Sequence, residues 1–136
     1  MKRLAVIVVL LVMFPMLACN FSFGTGGEPG LRTAVACRDL GDDYSPIGAT
    51  DVFAPEDDFY VSVEYSGLEE GQEIGAEWFL EDESLYEVSL PLDASQAGEG
   101  YAGFSLTNTE PWSAGNYHVD ISLDGEFDRT VEFRVE

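Results

Sequence analysis

The chain has 136 residues, of which 26 are Asp or Glu and 6 are Lys or Arg, a formal net charge of −20. That balance excludes a nucleic-acid binder, because phosphate contact needs a basic face and none can be assembled here. It equally excludes a protein held on anionic lipid by charge alone. An apolar content of 46%, with aromatic residues at 12%, is too high for an acidic disordered chain and supports one core in a single domain of about 100 residues.

Residues 1–18 read as an export signal. Lys2 and Arg3 open it, Leu4 to Phe14 is an unbroken apolar run, and Pro15 precedes a small-residue site at Ala18. As a helix the run reaches about 16 Å, roughly half of a hydrocarbon core ~30 Å thick, so it does not span. The segment Met16-Leu17-Ala18-Cys19 resembles a bacterial lipobox, with Met where Leu is commoner. The resemblance implies that Cys19 becomes the lipid-bearing N-terminus of an exported lipoprotein. Two or three acyl chains, at ~0.8 kcal/mol per buried methylene, hold such a protein to a membrane stably. The expected location is the extracytoplasmic side, at the cell surface or facing the periplasm, with the membrane as one partner. Lipidation of Cys19 leaves Cys37 as an unassigned thiol; a Cys19–Cys37 disulfide is the alternative, and it would stabilise little.

Residues 19–46 contain Gly24, Gly26, Gly27, Gly30 and Gly41 with little periodicity, the composition of a flexible linker. Phe21 and Phe23 follow the lipid site closely enough to lie among headgroups. From residue 47 to 136 the pattern becomes short runs of period two. These are a first strand near Thr50 to Phe53, then Phe59–Tyr65, Ile74–Leu80, Tyr86–Leu90, Ala102–Leu106, Tyr117–Leu123 and Phe127–Val135. Asp93 to Gly98 is expected as a single helical turn with Gln96 in capping-box position. For the last hairpin, a three-residue Leu123-Asp124-Gly125 loop is expected, setting Ile121 opposite Phe127 and Tyr117 opposite Val131.

Seven such strands predict an all-β fold, an antiparallel sandwich of two sheets. Trp78 in the third strand, and Tyr117 after Ser113-Ala114-Gly115-Asn116, resemble the core Trp and the tyrosine corner of bacterial Ig-like or fibronectin-III-like modules. Val119 stands where an antibody domain has its second Cys. The resemblance implies a seven-stranded Ig-like sandwich over residues 47–136 with Trp78 and Tyr117 in its core.

Chemistry is sparse. The lone His118 alternates with apolar Tyr117 and Val119, so it points outward. No nucleophile elbow, zinc spacing or phosphate loop occurs. No catalytic residue is assigned and the chain is not expected to be an enzyme. No cofactor is expected except, as an option, calcium. The Ig-like topology brings Glu56-Asp57-Asp58, Glu81-Asp82-Glu83 and Glu110 to one end. Such a cluster either relaxes into solvent or binds a cation through Asp57, Asp58, Asp82 and Glu83. The expected function is a lipid-anchored extracytoplasmic Ig-like module with a binding or structural accessory role toward an unknown protein or glycan. The alternatives are a calcium-stabilised adhesion-type module and a small carboxylate-dependent hydrolase.

Overall fold

The computed structural model describes residues 28–136. The export signal, the lipobox, Cys19, Phe21 and Phe23 lie outside the described residues. Nine strands and no helix occur among the described residues: β1 (Gly30–Leu40), β2 (Pro46–Ala49), β3 (Val52–Phe53), β4 (Phe59–Leu68), β5 (Glu73–Leu80), β6 (Glu83–Pro91), β7 (Gly98–Leu106), β8 (Gly115–Leu123) and β9 (Glu126–Val135). They form two sheets, one ordered β2-β1-β4-β7 and the other β3-β9-β8-β5-β6. Every pairing is antiparallel except β3 with β9.

The expected seven strands correspond to β3 to β9. The two additional ones, β1 and β2, begin within the segment expected as linker. β1 is the second strand of its sheet, pairing with β2 on one side and β4 on the other. Its small residues and the register shift between Leu31 and Thr33 interrupt the alternation by which a strand is recognised. Leu31 and Ala36 nevertheless face the core, and Ala36 is paired with Val61. Arg129 of β9 donates to the carbonyls of Arg32 at 2.8 Å and Leu31 at 3.1 Å, stitching the two sheets together along this edge. Cys37 is fully buried in β1, with no disulfide partner among the described residues. Burial pushes its thiol pKa up, the direction that keeps a thiol unreactive.

Alternating inward residues build the core: Phe59, Val61, Val63 and Tyr65 from β4 meet Ile74, Ala76 and Trp78 from β5 and Val119 and Ile121 from β8. Its centre is aromatic. The Phe59 ring lies 4.5 Å from Trp112, 4.7 Å from Phe133 and 5.3 Å from Tyr117. Trp78 is 1% exposed. Tyr117 is buried, and its hydroxyl donates to the Ser113 carbonyl at 2.7 Å. That bond pins the loop before β8 to the strand it opens.

Two local expectations are corrected. Asp93 and Gln96 exchange hydrogen bonds, Asp93 N–H to Gln96 Oε1 at 2.9 Å and Gln96 N–H to Asp93 Oδ1 at 3.1 Å, yet the segment is an isolated turn. The reciprocal capping bonds close without a helix behind them. The β8–β9 hairpin has a two-residue turn, not three: Asp124 (φ 53°) and Gly125 (φ 87°) both take the left-handed conformation that matches strand twist. Leu123 pairs with Glu126 and Ser122 with Phe127; the register then shifts by one at Asp128, so Val119 meets Val131 and Tyr117 meets Phe133. A bulge thus reconciles a tight turn with apolar pairing. It also leaves Phe127 65% exposed.

The Asp124 carboxylate accepts from Gln72 Nε2 at 2.8 Å and from the Glu73 N–H at 3.0 Å, tying this turn to the β4–β5 loop. The Gln72 bond, then the Glu73 bond, hold its pKa below the ordinary carboxylate value. A group whose folded pKa is depressed stabilises fully above the unfolded pKa of about 3.9 and loses that contribution as pH falls through the folded value. Asp124→Asn is therefore expected to lower the melting temperature at pH 7, with the gap to wild type narrowing below about pH 4. A gap unchanged at pH 2 in thermal melts would show that the ionised carboxylate adds nothing.

Candidate functional site

The outer face of the five-stranded sheet concentrates the polar chemistry, and strand register explains how. Residues between the core-facing positions of β5, β6, β8 and β9 point away from the core, and cross-strand pairing aligns them in rungs. One rung is Ser89–Gly75–Ser122–Phe127, the next Glu87–Glu77–Asp120–Thr130, and the third runs Phe79–His118–Glu132. Gly75 forms the floor of a trough of about 200 Å³, flanked by Ser89, Ser122 and the exposed Phe127 ring. A Cβ at Gly75 would lie 2.5 Å from Ser122 Oγ and 3.2 Å from Ser89 Oγ, so the trough depends on glycine there.

In the second rung, Glu77 is directly opposite a carboxylate on each side, Glu87 and Asp120. Like charges in direct cross-strand pairing are destabilising. Two hydroxyls soften the contact: Ser84 donates to Glu77 Oε2 at 2.7 Å and Thr130 to Asp120 Oδ1 at 2.8 Å. Neither carries charge. The four arginines among the described residues are occupied elsewhere. Arg38 pairs with Asp57, Arg129 with Asp128 and Arg134 with Glu136, while Arg32 donates to the Glu28 carbonyl.

Beyond the third rung the face deepens into a groove of about 540 Å³ lined by Asp51, Glu81, Asp82, Asn116, His118, Glu132 and Arg134 among others. His118 stacks on Phe79 at 4.6 Å and 12°. The Glu136 carboxylate, bonded to Arg134, raises that guanidinium's pKa further.

The acidic residues singled out as cation ligands are not brought together. Asp57 and Asp58 line a separate hollow of about 310 Å³ with Arg38, Asp39 and Tyr60, whereas Asp82 lines the larger groove and Glu83 opens β6. Asp57 Oδ2 instead accepts from the Ala54 N–H at 2.8 Å and from Arg38, and the Asp57 carbonyl accepts from Trp112 Nε1 at 2.9 Å. That carboxylate shapes its own loop. Among the described residues no group of three or more His, Cys, Asp or Glu side chains is placed to hold a metal ion. Sequence reading missed the acidic rung because it counted charges loop by loop. The available signal was strand parity: Glu77 and Asp120 lie between buried residues, and Glu87 between Tyr86 and Val88, which share the parity of the core face.

No protein-family model and no curated protein matches the chain. Among solved structures, the fold is similar to a Pseudomonas fluorescens alkylpurine DNA glycosylase, AlkC, bound to DNA containing an abasic site analog, at 12% identity and a TM-score of 0.48. The match covers 82% of this chain and 31% of that one, so this chain spans under a third of the glycosylase. The expectation of a lipid-anchored extracytoplasmic Ig-like module, with its calcium-stabilised adhesion and carboxylate-hydrolase alternatives, is corrected here: the similar structure is a DNA glycosylase, not an adhesion module. Nor does so distant a likeness assign DNA binding or glycosylase chemistry to this chain.

Proposed function

We propose that the domain is an acidic receptor for a cationic partner, a basic polypeptide surface, which it engages through the outer face of the five-stranded sheet. The observation that carries this reading is the Glu87–Glu77–Asp120 rung. Three carboxylates side by side in register cost stability, and a positively charged partner would convert that repulsion into attraction. The surrounding charge of −20 steers such a partner inward and speeds its encounter. The strand orders β1-β4-β7 and β3-β9-β8-β5-β6, with Trp78 and the Tyr117–Ser113 bond in the core, support an Ig-like topology for the scaffold. Export and lipidation at Cys19 are independent of this reading and rest on residues 1–19 alone.

The test is calorimetric titration of the protein with an octalysine peptide at two ionic strengths. Binding is expected to weaken steeply with salt. Replacing Glu77, Glu87 and Asp120 by Gln, Gln and Asn should reduce affinity at least tenfold and raise the melting temperature. A second triple variant, Glu56→Gln, Glu69→Gln and Glu110→Gln, removes equal charge elsewhere and should retain most of the affinity. Equal losses in the two variants would show that the acids act only as a diffuse solubilising charge.

A further inference from the structure

We infer that the partner binds by strand addition: an extended segment with alternating basic and apolar residues pairs with the free edge of β6. This rests on the cationic-partner reading above and specifies how that partner is held. β6 ends the five-stranded sheet, and none of its nine residues is buried. Among the described residues, its backbone from Glu83 to Leu90 is engaged by the β5 ladder, and no loop or other element caps its outer side. The opposite edge of the same sheet, β3, is two residues long. Sheet edges are ordinarily blunted by short length, Lys, Pro or a bulge. β6 has no Lys, its Pro91 is the last residue, and its one irregularity lies next to the hairpin, between the Trp78 and Phe79 pairings. Tyr86 to Leu90 is left as a regular, unpaired edge.

The two faces of that edge differ in chemistry. Tyr86, Val88 and Leu90 pair with Trp78, Ala76 and Ile74, so they continue the core face of the sheet past the point where the other sheet covers it. Tyr86 is 52% exposed and Leu90 37%. Glu87, between them, lies on the outer face at the end of the acidic rung. An added strand would lay every second side chain along Tyr86, Val88 and Leu90, and the intervening ones beside Glu87 and Ser89. Apolar residues fit the first set and Lys or Arg the second, since a basic residue there extends the rung with the opposite charge. Charge argues against a second copy of this chain as the occupant, because pairing β6 with itself would bring Glu83 and Glu87 of both copies into one ladder, between two chains of −20 each.

Two peptides of identical composition separate the possibilities, one alternating Lys and Val over eight residues, the other with four Lys followed by four Val. Affinity by calorimetry and residue-resolved amide hydrogen exchange are measured for both. The alternating peptide is expected to bind at least tenfold more tightly and to slow exchange at the outward-facing amides of Tyr86–Leu90. Tyr86→Ser combined with Leu90→Ser, charge-neutral changes at two exposed positions, should remove that preference while leaving the blocked peptide's affinity nearly unchanged. Equal binding of the two peptides without protection of β6 would overturn strand addition and leave the acidic face standing. Failure of both peptides to bind would overturn the cationic-partner reading and this inference with it.

Discussion

Trp78→Ala is expected to lower the unfolding free energy by about 3–5 kcal/mol, within the range seen when a large aromatic is removed from a core. A small domain has only about 5–15 kcal/mol in total, so the variant should be partly unfolded in mild denaturant. The packing explains the size. Trp78 is 1% exposed, stacked 6.3 Å from Phe59 of one sheet and meeting Phe133 of the other edge-on at 6.3 Å. Trp78→Phe should cost much less. Its Nε1 has no hydrogen-bond partner, so the indole carries a desolvation cost that phenylalanine does not. Urea titrations of the three proteins check both statements. A loss below about 1 kcal/mol for the alanine variant would place Trp78 outside any well-packed core.

The second large effect concerns where the domain begins. A fragment of residues 47–136 contains every strand that alternation reveals, yet it is expected not to fold cooperatively, whereas residues 28–136 should give a single sharp transition. Removing β1 uncovers the edge of β4 along the pairs from Gly30–Ser66 to Cys37–Tyr60 and deletes the buried side chains of Leu31 and Ala36. It also takes away the carbonyls that Arg129 holds from the opposite sheet. An open, long, apolar edge invites aggregation as well. Circular dichroism during thermal unfolding decides the matter. A cooperative transition in the shorter fragment would mean that β1 is an accessory to the fold and not part of its core.

The acidic face illustrates how position outweighs composition. The Ig-like topology was expected to bring Asp57, Asp58, Asp82 and Glu83 to one end, but Asp57 and Asp58 line one hollow, Asp82 lines another, Glu83 opens β6, and the Asp57 carboxylate is used in its own loop. Glu77, Glu87 and Asp120 are scattered over 44 positions of sequence and are neighbours because β5 pairs with both β6 and β8.

Alternation along the chain was sufficient to assign β4 to β9 and the inward placement of Phe59, Trp78, Tyr117 and Phe133, because a half-buried strand imposes period two on its own sequence. Asp124-Gly125 marked where the β8–β9 hairpin turns but not the length of the turn, which is two residues and not the three expected. β1 was not legible: its small residues and its bulge hide the period, and its burial comes from β4 and the sheet across from it. The register of β8 and β9 was not legible either. A single bulge at Asp128 moves every pair beyond it, and what selects the bulge is the meeting of Val131 and Phe133 with core residues from other strands. Which carboxylates stand together, and which strand edge lies open, follow from pairings between segments distant in sequence, which only the assembled sheets determine.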